Sequence, residues 1–122
     1  MATWCPKRAR VTLVLVRIIA RRTLREFVDS LAGRRDQPAV KAAVDAWFDE
    51  VKKAHWASTA DVKRLYATAS VVTADRIVFN VKGNAYRLVA AVDFEKGIVW
   101  IKWIGSHKDY ERIDVAKVEY DH

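Results

Sequence analysis

"RIVFNVKGNAYRLVAAVDFEKGIVWIKWIGSHKDY", Arg76 to Tyr110, decides how this chain folds. From Arg76 onward, residues two apart share a character, the period of a strand whose two faces meet different surroundings. Gly83-Asn84 breaks the pattern with two residues that tolerate a left-handed backbone, so a tight two-residue hairpin is expected there. That register sets Val81 against Tyr86 and Phe79 against Leu88, building one apolar face with Ile77 and Ala90. On the opposite face it pairs Asn80 with Arg87, with Lys82 and Val89 nearby. A second turn at Lys96-Gly97 sets Lys102 opposite Ala91, on the face of Arg87. A three-residue turn with a glycine bulge would move Lys102 to the other side, and the first register keeps one face nearly free of charge. The strands expected are 76–82, 85–94 and 98–104, an antiparallel meander.

Upstream of Ser70 the period is 3.6 rather than 2. Thr23 and Glu26 match a capping box, and Leu24, Phe27, Val28 and Leu31 recur at helical spacing before Gly33. A second helix is expected to open near Asp36 and Pro38, with Val40, Ala43, Val44, Trp47 and Val51 on its apolar stripe and Phe48 beside it. Ser58 and Asp61 suggest a third, short helix carrying Val62, Leu65 and Tyr66. Before all of these, "VTLVLVRII", Val11–Ile19, is the β-branched run of a buried strand. The expected fold is α+β: an N-terminal strand and two to three helices packed on a mainly antiparallel sheet.

A chain of 122 residues is long enough for one domain with a real core and needs no disulfide staples. Cys5 is the single cysteine, so no internal disulfide or Cys/His metal cluster can form, and His55, His107 and His122 lie too far apart in sequence for a spaced ligand set. No metal and no cofactor are expected. The net charge of +7 is concentrated at one end: residues 1–35 hold nine Lys/Arg against Glu26 and Asp29, whereas the rest of the chain is balanced. Such a concentration favours polyanions, nucleic acid first and an acidic protein second, although a solvated helix face would read the same way. The apolar stretch after Lys7–Arg10 is broken by Arg17 and too short for a secretory signal, and nothing approaches a membrane span. A cytoplasmic protein is expected.

A sheet face carrying Asn80, Lys82, Arg87 and Lys102 is costly unless an anion or solvent meets it. Phosphate suits it, since Arg offers a planar fork and Lys a point charge. Ser106 and Asp109 look like another capping box, which would start a turn straight after the last strand and project His107 and Tyr110 to the same side. An imidazole can give or take a proton at neutral pH, and a phenol can stack on a base, orient a phosphate or donate a proton. Cations, His and Tyr without metal ligands could cleave RNA through its own 2′-OH. Each residue also has a plainer reading. His107 could be an exposed strand-end histidine, Tyr110 rim packing, Lys82 a solvated turn lysine, and Arg87 the partner of Asp93 or Glu111. His55 reads as structural, and Trp47, Trp56, Trp100 and Trp103 as filling the core or the sheet faces.

The segments "RIIARRTLREF", "AWFDEVKKAHW" and the quoted stretch resemble the HigB family of bacterial toxins, RelE-like proteins of type II toxin–antitoxin systems. The resemblance spans roughly residues 16–115. It rests most on F-N-x-x-G-N-x-Y-R-L at Phe79–Leu88 and G-[ST]-H-x-x-Y at Gly105–Tyr110. It implies a ribosome-dependent mRNA endonuclease, an mRNA interferase, neutralised by a HigA-type helix-turn-helix antitoxin and acting on mRNA at the ribosome. The catalytic set it implies is Arg87, His107, Tyr110 and Lys82, with Asn80, Lys102 and Lys108 as RNA contacts. Arg21, Arg22 and Arg25 would touch ribosomal RNA or the antitoxin. The rival readings are a non-cleaving RNA- or ribosome-binding inhibitor of translation and a degenerate toxin kept as an antitoxin scaffold. Family members typically begin near "RIIARRTL", so residues 1–15 are expected to be an N-terminal extension or a mis-assigned start, with 16–122 as the toxin domain.

Overall fold

The structure, a computed structural model, describes residues 17–118. The upstream part of the expected first strand and the question of residues 1–15 lie outside them. The first described element is β1 (Arg17–Ile19). Three helices follow, α1 (Arg21–Ser30), α2 (Gln37–Lys52) and α3 (Thr59–Leu65), and then four strands: β2 (Ser70–Val71), β3 (Arg76–Val81), β4 (Tyr86–Asp93) and β5 (Ile98–Ser106). A single helical turn, α4 (His107–Tyr110), comes last. The strands form one sheet in the order β1-β5-β4-β3-β2. Among the described residues only the β1–β5 pair is parallel, and the other three ladders are antiparallel. The chain is therefore the expected α+β fold. The pair Ser70–Val71 adds an edge strand against β3 that its two residues are too short to signal by alternation.

The helices cover one face of the sheet. Leu24 and Val28 of α1, Val40, Val44, Trp47 and Val51 of α2, and Val62 of α3 share a core with Ile77, Phe79, Leu88, Ala90, Val99, Ile101 and Ile104. Phe79 is its centre, with the rings of Trp47, Trp56 and Tyr66 at 5.3, 6.2 and 5.2 Å. Truncating a buried Phe of this kind to Ala costs about 3–5 kcal/mol. Of the apolar residues that α3 carries, Val62 is buried while Leu65 at its end is 48% exposed.

Two helix starts differ from the capping-box reading. Ala20 takes a left-handed conformation (φ 74°), which turns the chain out of β1 directly into α1, and α1 begins at Arg21. Thr23 is thereby drawn into the interior, where its hydroxyl has no hydrogen-bond partner among the described residues, and Glu26 pairs with Arg22 at 2.7 Å instead. At α3, Ser58 is the N-cap residue without a side-chain cap bond, while the Asp61 carboxylate accepts from the Ala57 amide at 2.8 Å.

The β3–β4 register is the one read from the sequence: Val81 opposite Tyr86, Asn80 opposite Arg87, Phe79 opposite Leu88 and Ile77 opposite Ala90. Its turn is not. The left-handed residues are Lys82 (φ 53°) and Gly83 (φ 63°) rather than Gly83 and Asn84, and the Ala85 amide closes the turn on Lys82 O at 3.2 Å. Lys82 therefore sits in the turn and not on a strand.

The β4–β5 register also needs correcting. The connection is four residues long and pairs Asp93 with Ile98, so Trp100 rather than Lys102 faces Ala91. A bulge follows, since Ala90 pairs with Ile101 but Val89 pairs with Trp103, which makes Lys102 the extra residue. Beyond the bulge the alternation resumes in the opposite phase. The second face is accordingly no sheet of cations. Val78, Val89 and Ala91 on it are buried, and buried Arg76 ties the C-terminal segment to this side through carbonyls of Val115 (3.3 Å) and Val118 (2.6 Å).

Candidate functional site

One end of this second face gathers most of the expected residues. β3 and β4 bring Asn80 opposite Arg87, and β5 brings Gly105 opposite Arg87 and Ser106 opposite Tyr86. The His107 amide donates to Ala85 O at 3.0 Å, which docks the start of α4 on the β3–β4 turn that carries Lys82. Ser106 caps α4 as expected, its hydroxyl accepting from the Asp109 amide at 3.1 Å. The capped turn folds Tyr110 back toward the strands. Its ring centre lies 5.8 Å from the Arg87 guanidinium carbon and 6.3 Å from the Trp103 ring.

Arg87 is held from below. Its Nη1 donates to Asn84 O at 2.9 Å and to Tyr86 O at 3.3 Å, and among the described residues these carbonyls are its hydrogen-bond partners. The ion pairs considered for it are not formed, and Glu111 instead faces His107, Oε2 to Nε2 at 3.3 Å. A guanidinium has five N–H donors, so one edge can be anchored on carbonyls while others meet an oxyanion. The adjacent Tyr86 fixes the same strand end from the core side. Its hydroxyl donates to Asp36 Oδ2 at 2.6 Å, and Asp36 also takes Arg34 Nε at 3.1 Å. The Tyr86 hydroxyl and the Arg34 guanidinium hold the Asp36 carboxyl below its ordinary range, while burial and that carboxylate push the Tyr86 phenol up.

The arrangement can bind a phosphodiester. Arg87 supplies a positioned cation, Tyr110 a ring and a hydroxyl, and His107 a half-exposed imidazole one helical turn away. Lys82 and Lys108 are exposed around them, with Asn80 half-buried beside Arg87. Lys102 lies farther along β5, in the bulge. Arg21, Arg22 and Arg25 are elsewhere: α1 packs on the opposite face of the sheet. There Arg21 sits 4.1 Å over the Phe48 ring and, with Arg25, lines a groove of about 410 Å³ between α1 and α2 that Asp29, Asp45 and Asp49 also border.

Two residues of the site were not expected in it. Trp103, read as packing, lies beside Tyr110, and Gly105 is what makes room for it. A Cβ on Gly105 would come within 2.5 Å of Trp103 Cη2 and 2.6 Å of Cζ2, so the indole lies across the bare backbone. The available signal was the glycine itself, which inside a strand often marks a close approach.

Residues 40–113, from α2 through α4, match the profile of the HigB toxin family, described as the RelE-like toxic component of a toxin–antitoxin system. The chain belongs to this family. No curated protein gives a significant match. The HigB-family match includes both ends of the site, the β3–β4 hairpin and the strand leading into α4. As the toxic component of such a system, a HigB toxin has an antitoxin as its partner. Among the described residues no helix is long and apolar enough to cross a membrane.

Proposed function

We propose that this HigB toxin is a ribosome-dependent mRNA endonuclease that inhibits translation and is neutralised by a HigA-type helix-turn-helix antitoxin. The observation that supports the reading is Arg87 beside Tyr110 at one sheet end, with the turn that starts at His107 docked by its amide on the same β3–β4 hairpin. In the proposed reaction a base removes the proton of an RNA 2′-OH, and the 2′-oxygen attacks the adjacent phosphorus. The 5′-oxygen leaves with a proton from an acid, giving a 2′,3′-cyclic phosphate and a 5′-OH end. No metal takes part. Arg87 offsets charge on the five-coordinate phosphorus, and Lys82 assists electrostatically or as the base. His107 handles a proton, and Tyr110 positions the substrate or shares that role. Asn80, Lys102 and Lys108 contact the RNA. A positioned acid–base pair is worth about 10² to 10⁴ in rate, and preorganised charge adds about 10² to 10³ per donor.

The test is induced expression of the full chain, natural sequence beside Arg87→Ala, with mapping of new mRNA 5′ ends. Cuts within translated frames that disappear in the variant are expected. Growth arrest without new ends would refute cleavage and leave a protein that binds and blocks.

A further inference from the structure

Trp103 reaches the site only because of a backbone irregularity. Val99 and Ile101 face the core, and an unbroken strand would place residue 103 there as well. The extra residue at the bulge reverses the phase, so Ile104 enters the core (3% exposed) and Trp103 emerges on the face of Arg87. Bulges re-aim side chains and are common beside functional sites. A second feature serves the same ring: position 105 has no Cβ, and the indole lies across it. The indole stays half-buried, with Tyr110 at 6.3 Å, and Tyr110 in turn carries the Arg87 guanidinium at 5.8 Å. A cation for a phosphate thus shares a sheet face with a partly exposed indole, since the indole lies across Gly105, the residue opposite Arg87, and both approach the Tyr110 ring.

We infer that Trp103, seated on Gly105, is the stacking platform for an unpaired nucleobase whose flanking phosphate is held by Arg87. This rests on the RNA reading above and deepens it, since it makes base preference a property of the bulge. Stacking on an aromatic ring is sequence-tolerant but grows with the size of the base, so the site would favour a purine over a pyrimidine. Tyr110, tilted 49° from the indole, closes one side of the platform rather than forming a parallel clamp.

Binding of 2′-O-methyl oligomers, which lack the nucleophile, isolates recognition from cleavage. The full chain and its Trp103→Leu, Trp103→Phe and Arg87→Ala variants would be titrated with a fluorescent adenine oligomer, a uracil oligomer and an abasic strand of equal length. Trp103→Leu is expected to weaken adenine binding about tenfold, the loss of one base–aromatic stack, with little effect on the abasic strand. Trp103→Phe should recover most of the loss, and Arg87→Ala should weaken all three strands alike. An equal loss on adenine and abasic strands would show that Trp103 acts through the fold and would overturn the inference. Unchanged adenine binding by Trp103→Leu would overturn it too, with the RNA reading left standing. If the natural protein bound none of the strands, the subsite would be overturned, and the ribosome-dependent reading would still be decided by the mapping of mRNA 5′ ends.

Discussion

Arg76→Ala tests how the second face is closed. Arg76 is 9% exposed and donates from Nη1 to Val118 O at 2.6 Å and to Val115 O at 3.3 Å, some forty residues along the chain. A hydrogen bond from a charged donor contributes about 1.5–3 kcal/mol, and the longer, weaker one less. Alanine also leaves the Val115 and Val118 carbonyls without this donor, so the expected loss is about 2–4 kcal/mol. For a domain of this size that lowers Tm by about 8–16 °C. Urea unfolding measures it as a fall in the midpoint at constant slope. The loss should also be visible locally. The amides of Lys117 and Val118, bonded to Asp114 O at 3.1 and 2.9 Å, should exchange faster than those of β4. Arg76→Lys keeps the charge with fewer directed donors and should recover part of the loss. A change below about 0.5 kcal/mol on Arg76→Ala, the usual range for surface substitutions, would refute the assignment of Arg76 as the clamp.

Other substitutions test separate features. Thr23→Val removes a fully buried hydroxyl that has no partner among the described residues, and should raise the urea midpoint by the equivalent of about 1 kcal/mol. Ala20→Gly relieves a left-handed alanine and should stabilise by up to about 1 kcal/mol in the same assay; destabilisation would mean that φ 74° costs little there. Gly105→Ala forces the indole off its seat, with an expected cost of about 1–2 kcal/mol and a changed near-ultraviolet circular dichroism signal. The Asp36 pKa is depressed, so its contribution to stability is present at neutral pH and lost as pH falls below the ordinary carboxylate range through the lowered value. Tyr86→Phe removes the largest cause of that depression and should flatten the acid limb of a stability–pH profile; an unchanged limb would count against the Asp36–Tyr86 bond.

The β3–β4 register was legible because the residues facing the helices there, Ile77, Phe79 and Val81, are all apolar, and a slip by one would bury Asn80 in their place. The identity of the left-handed turn residues was not, since Lys82 adopts φ 53° against its preference and is held there by the turn it closes. In "IVWIKWIG" the alternation says little: Ile101 and Ile104 differ in parity, as do Trp100 and Trp103, so either phase offers an apolar face. The pairing of Lys102 with Ala91 fails at the turn, because a four-residue connection pairs Asp93 with Ile98, and the bulge beyond it leaves no mark of its own in such a stretch. Of the site, the sequence displayed Arg87, His107 and Tyr110 through the strand pairing and the Ser106 cap. It could not display Trp103, whose placement depends on the bulge.

These irregularities bear on one place. The left-handed Lys82-Gly83 turn and the capped turn after Ser106 lie at the same end of the sheet, the bulge at Lys102 lies midway along β5 and sets the phase of the strand leading there, and each departs from the period around it. Departures from local consistency have to be held by something, and the two turns are held on main-chain carbonyls: the His107 amide donates to Ala85 O and the Arg87 side chain to Asn84 O. A site built on strand ends and main-chain bonds keeps its geometry better than one on a free loop, as the proposed reaction would require. The α1 arginines stand apart from this economy of position. They lie across the sheet, Arg22 paired with Glu26 and Arg21 stacked on Phe48, so a polyanion touching both them and Arg87 must pass around an edge of the sheet. Two surfaces so separated suit two different contacts of the toxin better than one continuous RNA groove.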